Sequence, residues 1–120
     1  MNLNISIIGI GYIGLPLAVE FSKFYKVTAF DIDKKRIQEL KKGIDKTREI
    51  KINKKNINKK INFTNNEENL KQSNIFIIAV PTPIKKNNNP NLSYLKNASK
   101  IVGKNMKKSS VVIYESTVFP

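Results

Sequence analysis

The chain has no cysteine and no histidine. Without cysteine there is no disulfide, no thiolate nucleophile and no thiolate metal site. Without histidine the commonest general base is missing. No apolar run reaches the length of a membrane span. The N-terminus has no basic segment followed by an apolar stretch and a cleavage site. These absences predict a soluble, cytoplasmic chain with no metal and no membrane partner. Arginine is scarce too, with two residues against 20 lysines in a formal net charge of +13. Such a charge ordinarily suggests nucleic acid. Here Lys, Asn and Ile fill 54 of 120 positions. That is the mark of an A- and T-rich genome rather than of selection for phosphate contacts, which would favour arginine. The excess is concentrated in residues 33–60, where twelve Lys and Arg face four acids. No aromatic side chain falls there to stack on a base. The stretch reads as a solvated lysine surface, with attraction of an anionic nucleotide substrate as a second reading. No nucleic-acid partner is expected.

Glycine is also sparse, yet three of the five glycines form one motif, Gly9-Ile10-Gly11-Tyr12-Ile13-Gly14. It follows an apolar run, Ile5 to Ile8, and leads into a stretch with helical spacing. Strand, glycine turn and helix are the context in which G-x-G-x-x-G binds a dinucleotide. Gly9 would turn the chain out of the strand, Gly11 would let backbone approach a pyrophosphate, and Gly14 would let helix and strand pack closely. The helix N-terminus would then face the phosphates. Asp31 closes the next apolar run, twenty positions after Gly11. A carboxylate there accepts from the adenosine ribose hydroxyls and repels a 2′-phosphate, so NAD is the expected cofactor rather than NADP.

A length of 120 residues suits one domain. Strands are predicted over Leu3–Ile8, Lys26–Phe30, Ile61–Thr64, Ile75–Val80 and Ser110–Tyr114. Helices are predicted over Gly14–Phe24, Lys34–Lys42, Asn66–Gln72 and from Ser93 to about Lys104. In the first, Leu15, Leu17, Ala18, Phe21 and Phe24 would face the sheet. Asp33 would cap the second, Gly43 would stop it, and Ser93 would cap the last. Lys46–Lys60 reads as a short helix or loop over one sheet edge, and Lys85–Asn91 as a loop with turn chemistry. The alternation predicts an α/β fold, a doubly wound parallel sheet in the order 3-2-1-4-5 with helices on both faces. The ligand crevice would lie between the first and fourth strands, where the order reverses.

Four blocks then carry a resemblance: Gly11-Tyr12-Ile13-Gly14-Leu15-Pro16-Leu17-Ala18, Phe30-Asp31-Ile32-Asp33 with Arg36-Ile37, Ala79-Val80-Pro81-Thr82-Pro83-Ile84, and Tyr114-Glu115-Ser116-Thr117-Val118-Phe119-Pro120. Together they resemble the UDP-glucose/GDP-mannose dehydrogenase family over the whole chain. The last block and Asp45-Lys46-Thr47-Arg48-Glu49 look most like the branch acting on UDP-N-acetylhexosamines. The resemblance implies a Rossmann-like NAD-binding domain over residues 1–120. The enzyme would oxidise C6 of a UDP-N-acetylhexosamine or UDP-glucose to the uronic acid with two NAD, for surface polysaccharide synthesis, and would act as a homodimer. It implies that Tyr12 and Ile13 contact the pyrophosphate through backbone, with the Tyr12 side chain packing the loop. Asp31 would bind the adenosine ribose, Arg36 would pair with that region and flank the adenine, and Thr82 would contact the nicotinamide side. Thr117 would contact NAD and take a catalytic role in ordering a water. The family's substrate-binding parts and its catalytic cysteine and lysine have no counterpart here, so the chain is expected to be inactive alone. The alternatives are a non-catalytic dinucleotide-binding or interaction domain, and a basic nucleic-acid-binding module.

Overall fold

The computed structural model describes residues 3–43 and 60–115. The expectation for Lys46–Lys60 therefore falls, except for Lys60, outside the described residues. The elements are β1 (Asn4–Ile8), α1 (Gly14–Ser22), β2 (Lys26–Phe30), α2 (Lys34–Lys41), β3 (Ile61–Thr64), a short 3-10 helix (Glu67–Leu70), β4 (Ile75–Ile78), α3 (Ser93–Asn105) and β5 (Val111–Tyr114). The five strands form one parallel sheet in the order β3-β2-β1-β4-β5. This is the Rossmann-like arrangement read from the alternation of elements.

The register places Ile61, Val27, Ile5, Ile75 and Val111 in one row across the sheet. Successive residues of a strand point to opposite faces, and the two faces bury different partners. Ile5 and Ile7 of β1 join Val27, Ala29 and Ile77 on the face covered by Leu15 and Ala18 of α1 and Ile37 and Leu40 of α2. Ile8, Phe30, Phe76 and Ile78 pack on the other face, against Leu70 and the α3 residues Ala98 and Val102. Strands buried on both sides explain why β1 and β4 read as nearly continuous apolar runs. Ser6 is the polar member of β1. It is fully buried and hydrogen-bonds the equally buried Ser73 hydroxyl, so neither is left unsatisfied.

Several local expectations change. Phe24 is 72% exposed rather than facing the sheet. The helix ends at Ser22 with Lys23 as its C-cap, so the helical period no longer carries Phe24 inward. The fourth strand ends at Ile78 rather than Val80. Its neighbour β1 turns away at Gly9, so pairing on that side stops after Ala79 N–H donates to the Ile8 carbonyl at 2.8 Å. Ser93 begins α3 but does not cap it; Leu92 holds the cap position, and the Asn91 side chain accepts from Ser93 N–H at 3.0 Å. Asp33 does cap α2, accepting from Lys35 and Arg36 N–H at 3.0 and 3.2 Å. Gly43 ends that helix with φ +82°. In the loop after β4, Asn88 takes φ +66° and the Asn87 side chain accepts from Asn89 N–H.

Candidate cofactor site

The site is built where β1 stops. Gly9 leaves the strand with φ +98°, a conformation that favours glycine. Its N–H donates to the Phe30 carbonyl at 2.8 Å, which ties the turn to the end of β2. Gly14 answers a different need. A Cβ there would lie 1.7 Å from the Gly9 carbonyl oxygen, so only glycine lets α1 start this close to the strand. Gly11 is unlike both: a Cβ at that position would meet nothing within 4 Å. Protein packing gives no reason for glycine at position 11, whereas a ligand lying against the backbone does.

The helix that follows has no side-chain cap at its start: its N-cap, Ile13, makes no such bond, and the first turn holds no acidic residue. Leu15 N–H donates to the Gly11 carbonyl at 3.1 Å and Pro16 has no N–H, so it is the N–H groups ahead of them that need a partner, and a helix start favours an anion there. Asp33, by contrast, fills this need at α2 and Asn66 does so at the 3-10 helix.

Asp31 stands at the end of β2, half-buried. One carboxylate oxygen accepts from Ile10 N–H and the other from Asp33 N–H, each at 2.9 Å. A carboxylate offers about four acceptor positions, so both oxygens keep capacity for ligand hydroxyls. Arg36, on the first turns of α2, donates from Nε to the Ile10 carbonyl at 2.8 Å.

These groups surround a cleft of about 360 Å³. Ile8, Gly9, Ile10, Gly11 and Phe30 form its base, and Asp31, Ile32, Asp33 and Arg36 one side. Val80 and Pro81 form the other side, with Tyr94, Asn97, Ala98 and Ile101 of α3. The cleft opens at the carboxyl ends of β1 and β4, the point where strand order reverses and where ligands bind in such sheets. The glycine turn, the acid and the open space above Gly11 suit a dinucleotide phosphate and ribose.

Of the residues singled out from sequence, Gly9, Gly11, Asp31 and Arg36 meet around this cleft. Gly14 lies beneath the turn, and Ile13 packs partly against the core. The Tyr12 side chain does not pack the loop: it is 66% exposed, carried outward by the turn between strand and helix. Thr82 is buried just beyond Val80 and Pro81 but does not itself line the cleft. Thr117 lies outside the described residues. Sequence reasoning missed the wall contributed by α3. Tyr94, Asn97, Ala98 and Ile101 fall at helical spacing, a signal for one stripe but not for which part of the sheet it meets. Among the described residues no cluster of metal-ligating side chains occurs, and no helix is long and apolar enough to cross a membrane.

Comparison with known proteins agrees with this geometry. The model of the UDP-glucose/GDP-mannose dehydrogenase family, NAD binding domain, matches residues 3–120. Protein CapL of Staphylococcus aureus is 51% identical over 100% of this chain and 28% of its own length. The UDP-N-acetyl-D-glucosamine 6-dehydrogenase of Pseudomonas aeruginosa is 46% identical over 99% of this chain and 28% of its own. Among solved structures, the UDP-D-ManNAc dehydrogenase of Pyrococcus horikoshii superposes with a TM-score of 0.89 at 36% identity, covering 98% of this chain and 29% of that one. The chain thus spans under a third of the length of the relatives it matches. With the glycine turn, the acid at the end of β2 and the strand order all in place, the chain belongs to the UDP-glucose/GDP-mannose dehydrogenase family, and what it matches there is the NAD-binding domain.

Proposed function

We propose that this chain is the NAD-binding portion of a UDP-sugar 6-dehydrogenase that oxidises C6 of a UDP-N-acetylhexosamine to the uronic acid for surface polysaccharide synthesis. The observation that carries the reading is the cleft itself: a glycine with open space above its backbone, a helix start without a side-chain cap, and a carboxylate held at the end of β2. The printed names of the relatives support the substrate class. NAD, when bound, supplies the oxidant that accepts a hydride from the sugar carbon.

The chain's own residues bind and orient. The backbone of Gly11, Tyr12 and Ile13 and the start of α1 receive the pyrophosphate. Asp31 accepts from the adenosine ribose and rejects a 2′-phosphate by charge repulsion. Tyr94, Asn97 and Ile101 wall the adenosine side. Thr82, past the end of β4, serves the nicotinamide side. Thr117 contacts the cofactor and orders a water near the reacting carbon. The groups that select the sugar and carry out covalent chemistry belong to the further length of the relatives, and the working enzyme is a cytoplasmic homodimer. Calorimetric titration of this chain with NAD⁺ and NADP⁺ tests the reading. Saturable binding with a preference for NAD⁺ is expected, and Asp31→Ala should weaken NAD⁺ and narrow that preference. A folded chain that binds neither dinucleotide would overturn the proposal.

A further inference from the structure

The stripe that α3 turns toward the cleft is Tyr94, Asn97, Ala98 and Ile101. Three of these are apolar or aromatic, and the fourth is a neutral amide. On the opposite side Ile32 follows Asp31, apolar yet exposed. Other asparagines have spent their amides on the fold. Asn66 and Asn91 accept from backbone N–H groups at helix starts, and Asn105 donates to Glu67 and to the Ile101 carbonyl. Asn97 is exposed and makes no hydrogen bond among the described residues.

The shape of a nucleoside decides what this amide meets. A base is joined to its ribose by a single bond, so a ribose held at Asp31 leaves the base in the slot between Ile32 and α3. Apolar walls suit the two faces of a ring, and a few placed polar groups then fix its orientation. The edge of the ring needs a partner of its own. Adenine presents an amino donor beside a ring-nitrogen acceptor, and an asparagine amide presents an acceptor beside a donor. A lysine or a carboxylate could satisfy only half of such an edge.

We propose that Asn97 reads the base of the cofactor: its amide accepts from the adenine amino group and donates to the neighbouring ring nitrogen, which makes the cleft selective for an unmodified adenine edge. The inference rests on the reading of the cleft as an NAD site. An amide that faces an edge unable to pair with it loses its water and gains nothing in return, so a base altered there binds less well. The position suits the task, because Ala98 and Val102 of the same helix are buried against the sheet and hold α3 in place.

The test crosses a change in the base with a change in the side chain. The chain and its Asn97→Leu and Asn97→Ala variants are titrated with NAD⁺ and with its ethenoadenine analogue, in which a two-carbon bridge removes the amino donor. Asn97 is exposed and belongs to neither core cluster, so both variants should fold, which circular dichroism checks. The unsubstituted chain should prefer NAD⁺ roughly tenfold. Both variants should lose most of that preference through weaker NAD⁺ binding, with the analogue bound as before. Leucine has the branched outline of asparagine without its polar atoms. A preference that survives in Asn97→Leu would mean that bulk alone excludes the bridge, which overturns the proposal. Equal affinity of the unsubstituted chain for the two ligands, or equal loss of both in the variants, overturns it as well. If the unsubstituted chain binds neither dinucleotide, the cleft reading fails first and this inference falls with it.

Discussion

One methyl group added at Gly14 and the same group added at Gly11 should have opposite consequences. At Gly14 the new Cβ would stand 1.7 Å from the Gly9 carbonyl oxygen. Contacts of this kind stay beyond 3.0 Å, so the turn and α1 must part by more than an ångström. Both sides of the clash are backbone, so no rotamer change relieves it. Overpacking typically costs about 1–3 kcal/mol and sometimes more. A rigid clash beneath Leu15 and Ala18, which pack α1 onto the sheet, belongs near the top, at about 3 kcal/mol. With an unfolding entropy of about 2.1 cal/mol/K per residue, that lowers the melting temperature of a chain this size by roughly 12 °C. Gly11 has neither a neighbour within 4 Å nor a positive φ. Alanine there reduces the freedom of the unfolded chain and should raise stability by about 0.5 kcal/mol, or roughly 2 °C. That methyl group stands where the phosphates would lie, so NAD⁺ affinity should nevertheless fall on the order of tenfold. Thermal unfolding followed by circular dichroism, then calorimetry on the folded variants, reads both effects. A Gly14→Ala chain that melts within a few degrees of the parent would refute the packing argument. A Gly11→Ala chain that melts as low as Gly14→Ala would refute the assignment of open space.

Two further variants address the elements around the cleft. Asp33→Ala removes the side chain that accepts from Lys35 and Arg36 N–H. It should cost about 1 kcal/mol, or roughly 4 °C, measured by the same thermal unfolding; an unchanged midpoint would mean that the cap does not hold the start of α2. Tyr94→Ala alters a cleft wall that belongs to neither core cluster. It should weaken NAD⁺ by about 1 kcal/mol with little change in melting temperature, and the reverse pattern would make Tyr94 a structural residue.

Much of this was legible in the sequence because the signals are local. The glycine turn, Asp31 at a strand end and Asp33 before a helix each depend on a few neighbouring residues. Alternating strands and helices, joined by right-handed crossovers, left little freedom in the strand order. Periodicity misled where an element ended early: Phe24 sits in register with α1, but the helix has already stopped at Ser22. Strand length also escaped, because the extent of β4 depends on where β1 turns away. The Arg36 bond to Ile10 joins positions 26 residues apart through a side-chain nitrogen. No local pattern encodes such a link. The α3 wall was hidden for a related reason, since helical spacing defines a stripe without saying which cleft it will meet.

The strand order has a bearing on how the domain comes into being. β1 is made before the other strands of this sheet, and it pairs on one side with β2 and on the other with β4, so Ile5 faces both Val27 and Ile75. The partner on the first side, β2, is made soon afterwards. The other edge of β1 must wait for residues 75–78, at a synthesis rate of roughly 5–20 residues per second. During those seconds the newborn chain carries an apolar strand with one side bare, the kind of surface that invites wrong pairing. The residues that anchor the glycine loop, Phe30 for Gly9 and Asp31 for Ile10, are made early, whereas Val80, Pro81 and α3 arrive late. On the ribosome, the residues of the half-cleft that would receive ribose and phosphate are all made before those of its second wall.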